Sequence, residues 1–189
     1  IVLPLGVKQE FSRDAAEILH YDAPAYVRTQ TEADTFGGEI VMTNYERVRD
    51  GDIDPKRFCA VALDEASVLR SFGSKTYQTF LQKFKGVKYK LVCTATPSPN
   101  RFKELIHYAG FLEVMDTGQA LTRFFQRDST KANNLTLYPH KEQEFWLWVA
   151  SWALLISRPS DLGYSDEGYD LPGLTINWHE LTVDHASAG

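Results

Sequence analysis

Five short apolar runs punctuate the first hundred residues, and their alternation with helix-compatible segments constrains the fold more than any other feature of the chain. The runs cover residues 1–5, 26–29, 39–43, 58–63 and 89–93, the fourth being the clearest, Phe58-Cys59-Ala60-Val61-Ala62-Leu63. Between and after them, residues 8–20, 44–49, 75–84 and 101–109 are compatible with helices. Strands that alternate with helices at this spacing predict βαβ units around a parallel sheet. The character changes after Gly110, where helices are expected over 118–126 and 141–157, separated by the polar segment 127–134. A Gly, Asp and Pro-rich loop over 160–173 then precedes a β-like run over 174–183. Phe145, Trp148, Trp152 and Ile156 share one face of the expected 141–157 helix, whose other faces are also apolar, so burial between layers or against another lobe is expected.

Composition sets the outer limits. With 189 residues, 43% hydrophobic and 13% aromatic, the chain has length for one domain or slightly more and enough apolar surface for a core. Disorder over most of its length is excluded. Twenty-five acidic against 20 basic residues give a net charge of −5, so any nucleic-acid contact must be local rather than a basic shell. Cys59 and Cys93 sit in apolar runs, form no C-x-x-C pair, and are expected to be buried free thiols of a reducing, cytosolic protein. The five histidines show no ligand spacing, and the acidic stretch 161–170 lacks the ligand spacing of an EF-hand and reads as a solvated loop. The longest apolar stretch, 145–156, is too short for a membrane span of about 20 residues. Ile1 opens the chain inside an apolar run without an initiator Met or charged leader, so the natural protein is expected to begin upstream.

In a parallel α/β sheet, ligands gather at the carboxyl ends of the strands. Two polar groups follow apolar runs there: Asp64-Glu65 and, about thirty residues later, Thr94-Ala95-Thr96. An acidic pair in this position has two readings. One carboxylate can hold Mg²⁺ through its water shell while the next orients a hydrolytic water; alternatively, the pair is a helix N-cap with a first-turn acid. The threonines likewise read either as a nucleotide-responsive loop or as a strand-end turn before a helix start.

The order of these segments resembles the first RecA-like lobe of superfamily 2 helicases and translocases, and most closely the Swi/Snf-type ATPases and their phage-encoded relatives. Ile1-Val2-Leu3-Pro4-Leu5-Gly6-Val7 resembles motif Ia, and Ile40-Val41-Met42-Thr43-Asn44-Tyr45-Glu46 is similar to motif Ib. Val61-Ala62-Leu63-Asp64-Glu65-Ala66-Ser67 resembles the DExx box, and Leu91-Val92-Cys93-Thr94-Ala95-Thr96-Pro97, with Asn100 behind it, resembles motif III. Glu104-Leu105 and Gly110-Phe111-Leu112 match the segment that follows, and Ile156-Ser157-Arg158-Pro159-Ser160 with Leu171-Pro172-Gly173 is similar to the junction before the second lobe.

This resemblance implies an α/β, RecA-like parallel sheet flanked by helices: a partial lobe over 1–112 and a helical extension over 113–189 leading to a second RecA-like lobe. It implies ATP and Mg²⁺ as cofactors, with Asp64 holding the metal through water, Glu65 orienting the attacking water, and Thr94 and Thr96 coupling the nucleotide to the nucleic acid. Pro4, Leu5, Thr43 and Asn44 would track a nucleic-acid backbone, double-stranded DNA being the expected partner; for these four, ordinary strand ends are the competing reading. The implied setting is the cytoplasm of a bacterial or phage-infected cell. No G-x-x-x-x-G-K-[ST] loop occurs in the chain, so hydrolysis is expected only of the full-length protein. Ser67 stands where many relatives have His, and Asn44 where remodellers have Thr. The alternatives are a catalytically silent docking module using Trp146, Trp148 and Trp152, or the motor subunit of a restriction or repair complex. Lacking the phosphate-loop strand, the isolated chain is expected to leave strand edges unpaired and to associate.

Overall fold

The computed structural model describes residues 1–71, 73–98, 101–127, 135–170 and 172–180. Contacts divide the chain into two compact units, Ile1–Val149 and Ala150–Gly189, whereas the sequence suggested a boundary after residue 112. In the first unit the elements run β1 (Val2–Leu3), α1 (Lys8–Glu17), β2 (Ala25–Tyr26), α2 (Gln30–Thr35), β3 (Val41–Asn44), α3 (Tyr45–Asp50) and β4 (Ala60–Leu63). They continue with α4 (Lys75–Phe84), β5 (Tyr89–Val92), α5 (Leu105–Phe111), α6 (Thr117–Phe124), β6 (Phe125–Arg127), β7 (Leu135–Leu137) and α7 (Glu142–Ala150), which reaches the unit boundary.

Strands β1 to β5 form one sheet in the order β2-β3-β1-β4-β5, and every pair is parallel. The expected parallel α/β sheet flanked by helices is therefore present. Val2 pairs with both Thr43 and Leu63, so the two-residue β1 joins the halves of the sheet. The chain leaves β1 in one direction, towards β2, and leaves β4 in the other, towards β5. Right-handed crossovers running in opposite directions fall on opposite faces, so the sheet is doubly wound about the β1–β4 junction.

Helix α4 shows why the segment is helical. Ser74 caps it by accepting the Tyr77 N–H at 3.1 Å, and Tyr77, Phe80 and Phe84 recur on one face and are fully buried. That face meets Tyr45 of α3, stacked on Phe80 at 5.7 Å, and Phe111 of α5, 5.2 Å from Phe84. Gly110 lets α5 approach α6: a Cβ there would collide with the Thr117 hydroxyl and press on that of Tyr77, so a larger residue would require these side chains to shift. Lys90 ties β5 to the end of α5, its ammonium donating to the Phe111 carbonyl at 3.1 Å and pairing with Glu113 at 2.8 Å. A second cluster forms from Leu105, Ile106, Ala120, Phe124, Phe125 and Phe145.

Several expectations are corrected. Strand 26–29 shortens to Ala25–Tyr26, because Thr29 instead caps α2 by accepting the Glu32 N–H. The helix expected over 118–126 ends at Phe124, because Phe125–Arg127 pairs antiparallel with Leu135–Leu137, so the region after 112 is not purely helical. Residues 128–134 lie outside the described set. The helix expected to reach 157 stops at Ala150, with no glycine or proline to mark the end. Only Phe145 of its supposed apolar face is fully buried, and Ile156 is exposed. The run from 174 forms no strand through 180, and residues 181–183 lie outside the described set. Cys59 and Cys93 are exposed rather than buried, since each sits just outside a strand of the uncovered β4–β5 margin. In the second unit, Asp161 accepts the N–H groups of Ser157 and Arg158 at the start of a turn over Pro159–Leu162, and Asp166 accepts that of Ser160. Asp161 and Asp166 therefore organise turns.

The sheet is continuous, and its open edge is β5. Tyr89 and Leu91 are 57% and 58% exposed on the face they share with exposed Ala60. Parallel sheets are normally covered on both faces, and a bare apolar edge invites pairing. The isolated chain is expected to associate as its concentration rises, and Tyr89→Lys with Leu91→Lys to suppress this. Light scattering checks it: a clean monomer at all concentrations would count against an exposed edge.

His107 of α5 is buried edge-on to Tyr77 at 5.5 Å. Burial, with a small contribution from Lys103, pushes its imidazole down to about 4. The unfolded chain takes up this proton near pH 6.5 and the folded one only near 4, so stability falls as pH drops through that window. The loss is up to about 3 kcal/mol. Above pH 6.5 the group adds no slope. Urea midpoints at pH 7 and pH 4.5 are expected to differ less in His107→Leu than in the wild type, and equal differences would refute the assignment.

Candidate functional site

Because all five strands are parallel, their carboxyl ends lie along one edge of the sheet. Reading across that edge, Asn44 ends β3, Pro4 and Leu5 follow β1, Asp64 and Glu65 follow β4, and Thr94 to Thr96 follow β5. The sequence-expected residues are thus brought onto one rim. Pro4-Leu5 and Asp64-Glu65 flank the β1–β4 junction, where connections depart in opposite directions and the crevice of such a sheet opens.

The turn after β4 is held from both sides by backbone bonds. The Asp64 N–H donates to the Val2 carbonyl at 2.8 Å, and the Ala66 N–H to the Cys93 carbonyl at 3.0 Å. The Cys93 N–H returns to the Leu63 carbonyl at 2.8 Å. Tyr45 contributes from α3, its hydroxyl donating to the Asp64 carbonyl at 2.6 Å. Between these anchors Glu65 is left-handed, with φ 48° and ψ 48°. A non-glycine residue in that region costs about 1–3 kcal/mol and persists where its surroundings over-determine it. The consequence is directional: Asp64 is half-buried, whereas Glu65 is exposed. Glu65 makes no side-chain cap of the following 3₁₀ turn, Ala66–Arg70, so the N-cap reading of the pair is not met.

Both carboxylates act on their neighbours. Burial first, then the charges of Asp64 and Glu65, pushes the Tyr45 phenol far above its ordinary value. Partial burial and Asp64 together raise the Cys93 thiol. A rim of this sign suits a hydrated divalent cation, and one half-buried carboxylate with water as the remaining ligands is how Mg²⁺ is commonly held. Asp64 fits that role. Among the described residues no three His, Cys, Asp or Glu side chains converge as a complete protein cage.

The remaining expected residues divide. The Thr94 hydroxyl accepts the Thr96 N–H at 3.2 Å, forming a small turn, and Thr96 is exposed. Leu5 is 59% exposed and Pro4 half-buried on the rim. Thr43, by contrast, is buried, and its hydroxyl donates to the Val27 carbonyl at 3.0 Å. The Asn44 side chain caps α3, accepting the Arg47 N–H at 3.3 Å. Both side chains are thus engaged in structural roles; Asn100 lies outside the described residues. Tyr45, within the motif Ib-like segment, is a further residue of this site for which the sequence implies no role. Its only trace in the sequence is its place directly after the end of β3; the bond to the Asp64 carbonyl is a tertiary fact.

A cavity of about 390 Å³ opens at the opposite edge, among the strand beginnings at Ile1, Val41, Ala60 and Tyr89. Its charged side chains are Glu39 and Lys90, and the Ile1 amino group donates to the Val41 carbonyl at 2.7 Å within it. It lacks the convergent polar groups of the carboxyl rim, so the rim is the better site. Comparison with protein-family models and with curated proteins returns no match. Among the described residues, no helix is long and apolar enough to cross a membrane.

Proposed function

We propose that this chain is the motif-bearing part of the first RecA-like lobe of a superfamily 2, ATP-dependent DNA translocase or helicase of Swi/Snf type. The observation that carries the reading is the rim at the β1–β4 junction: half-buried Asp64, left-handed exposed Glu65, and the Thr94–Thr96 turn on the neighbouring strand. A phosphate-binding loop and a second lobe are required from elsewhere in the natural protein.

Bound Mg²⁺·ATP supplies the phosphoryl group to be transferred and the cation that neutralises its charge. Asp64 would hold the hydrated cation, and its backbone is fixed on both sides by the bonds to Val2 and from Tyr45. Glu65, exposed on the rim, would orient the attacking water. The Thr94–Thr96 turn lies on the adjacent strand end and passes the state of the nucleotide towards the DNA. Pro4 and Leu5 lie on the DNA side, where backbone groups contact phosphates without reading sequence. Thr43 and Asn44 serve that surface by shaping β3 and α3.

DNA-stimulated ATP hydrolysis by the natural full-length protein tests the reading. Mg²⁺-dependent hydrolysis that rises on adding double-stranded DNA is expected, with none from the 189-residue chain alone. A full-length protein that hydrolyses no ATP with or without DNA would sink the motor reading and leave the docking module.

A further inference from the structure

The turn that carries the two acids is built from three peptide units, and two of them are held by backbone groups alone. The Leu63–Asp64 unit accepts the Cys93 N–H through its carbonyl and donates its own N–H to the Val2 carbonyl, both at 2.8 Å. The Glu65–Ala66 unit accepts the Ser67 N–H at 2.7 Å and donates to the Cys93 carbonyl at 3.0 Å. The middle unit, Asp64–Glu65, is held differently. Its carbonyl is bound by a side chain, the Tyr45 hydroxyl at 2.6 Å, and its N–H finds no acceptor among the described residues.

A trans peptide is planar, with its N–H and carbonyl on opposite sides. Because Tyr45 holds the carbonyl, the Glu65 N–H faces the other way, and Glu65 takes its φ of 48°. The alternative is a half-turn of this one unit between its two anchored neighbours. Such a turn breaks a single hydrogen bond, moves the Glu65 φ to the negative values that L residues prefer, and re-aims the carboxylate. The left-handed geometry therefore has a local cost, and one side-chain bond opposes its relaxation. The donor itself is rigid: Tyr45 is 8% exposed, opens α3, and stacks on the fully buried Phe80 of α4 with the ring planes 15° apart. Burial and the two carboxylates keep its phenol protonated, so it stays a donor at neutral pH.

We propose that Tyr45 is a positioning residue whose hydroxyl sets the orientation of the Asp64–Glu65 peptide and so keeps Glu65 left-handed, with its carboxylate on the rim. The statement about the turn stands on these bonds; its consequence for catalysis rests on the ATPase reading, in which Glu65 orients water. A phenylalanine in place of Tyr45 keeps the stacked ring and removes only the bond that locks the peptide.

Two measurements decide it. Glycine tolerates a positive φ and alanine does not, whereas at negative φ alanine is the more stabilising of the two. In urea unfolding of the 189-residue chain, Glu65→Gly is therefore expected to have a higher midpoint than Glu65→Ala. In the Tyr45→Phe background that order is expected to reverse. The same order by the same margin in both backgrounds would show that Tyr45 only packs, and overturns the proposal. An alanine variant at least as stable as the glycine variant with Tyr45 intact overturns it without recourse to Tyr45→Phe. In the natural full-length protein, Tyr45→Phe is expected to keep its KM for ATP within about twofold and to lose at least about tenfold in kcat. Added to Glu65→Gln, it is expected to lower kcat by less than about twofold more, since both changes act through one carboxylate. Wild-type turnover in Tyr45→Phe overturns the positioning role while leaving the ATPase reading intact. A wild type that hydrolyses no ATP removes that reading, and the order of the urea midpoints still decides whether the hydroxyl locks the turn.

Discussion

In the natural full-length protein, Glu65→Gln is expected to bind ATP and DNA as the wild type does and to lose at least about a hundredfold in hydrolysis, the scale of a removed water-orienting or general-base group. The substitution keeps the size and hydrogen-bonding reach of the side chain and removes its charge, so it spares the backbone turn. That turn is held by the Asp64 N–H on Val2, the Ala66 N–H on Cys93 and the Tyr45 hydroxyl on the Asp64 carbonyl, none of which involves the Glu65 carboxylate. A variant that binds normally but turns over slowly would separate catalysis from architecture. Matched single-turnover and binding assays make the check, and unchanged hydrolysis would deny Glu65 its role while leaving the rim in place.

Phe145→Ala is expected to destabilise the first unit by about 3–5 kcal/mol, the range for truncating a fully buried aromatic. Phe145 is wholly buried, with its ring 5.4 Å from Phe124 and 5.6 Å from Phe125, both edge-to-face. A domain stable by about 5–15 kcal/mol cannot absorb such a loss lightly. Trp146 and Trp148 neighbour the site and provide a local fluorescence signal in urea titrations. Leu147→Ala is the control, because that side chain is 66% exposed, and it should move the midpoint little. Equal shifts in the two variants would refute the packing.

How much of this was legible depended on which forces fixed each element. Helix 75–84 was readable to the residue, because a serine cap and three aromatic residues on one face all act locally. The acidic and threonine strand ends were readable for the same reason, as apolar runs that stop abruptly. Helix α2 was missed because none of its side chains is buried, so it has no apolar stripe. Its trace was chemical: Thr29 accepts the Glu32 N–H, and the Glu32 carboxylate accepts the Arg28 N–H at 2.6 Å, much as in a capping box. The β6–β7 hairpin is held by pairing across an intervening polar segment, which no local pattern announces. Thr43 and Asn44 matched a motif, but their bonds to Val27 and Arg47 are tertiary and capping facts that a string of letters does not display.

The two-residue β1 carries a consequence for the order of events during synthesis. Its partners are Thr43 and Asn44 on one side and Leu63 on the other, so it emerges from the ribosome well before either can receive it. At about 5–20 residues per second, the wait lasts seconds, far longer than a helix or hairpin takes to form. The strand that welds the sheet together therefore cannot complete its pairing until Leu63 of β4 has been made. Until Leu63 arrives, the nascent chain holds an unfinished sheet margin that a holdase chaperone can occupy.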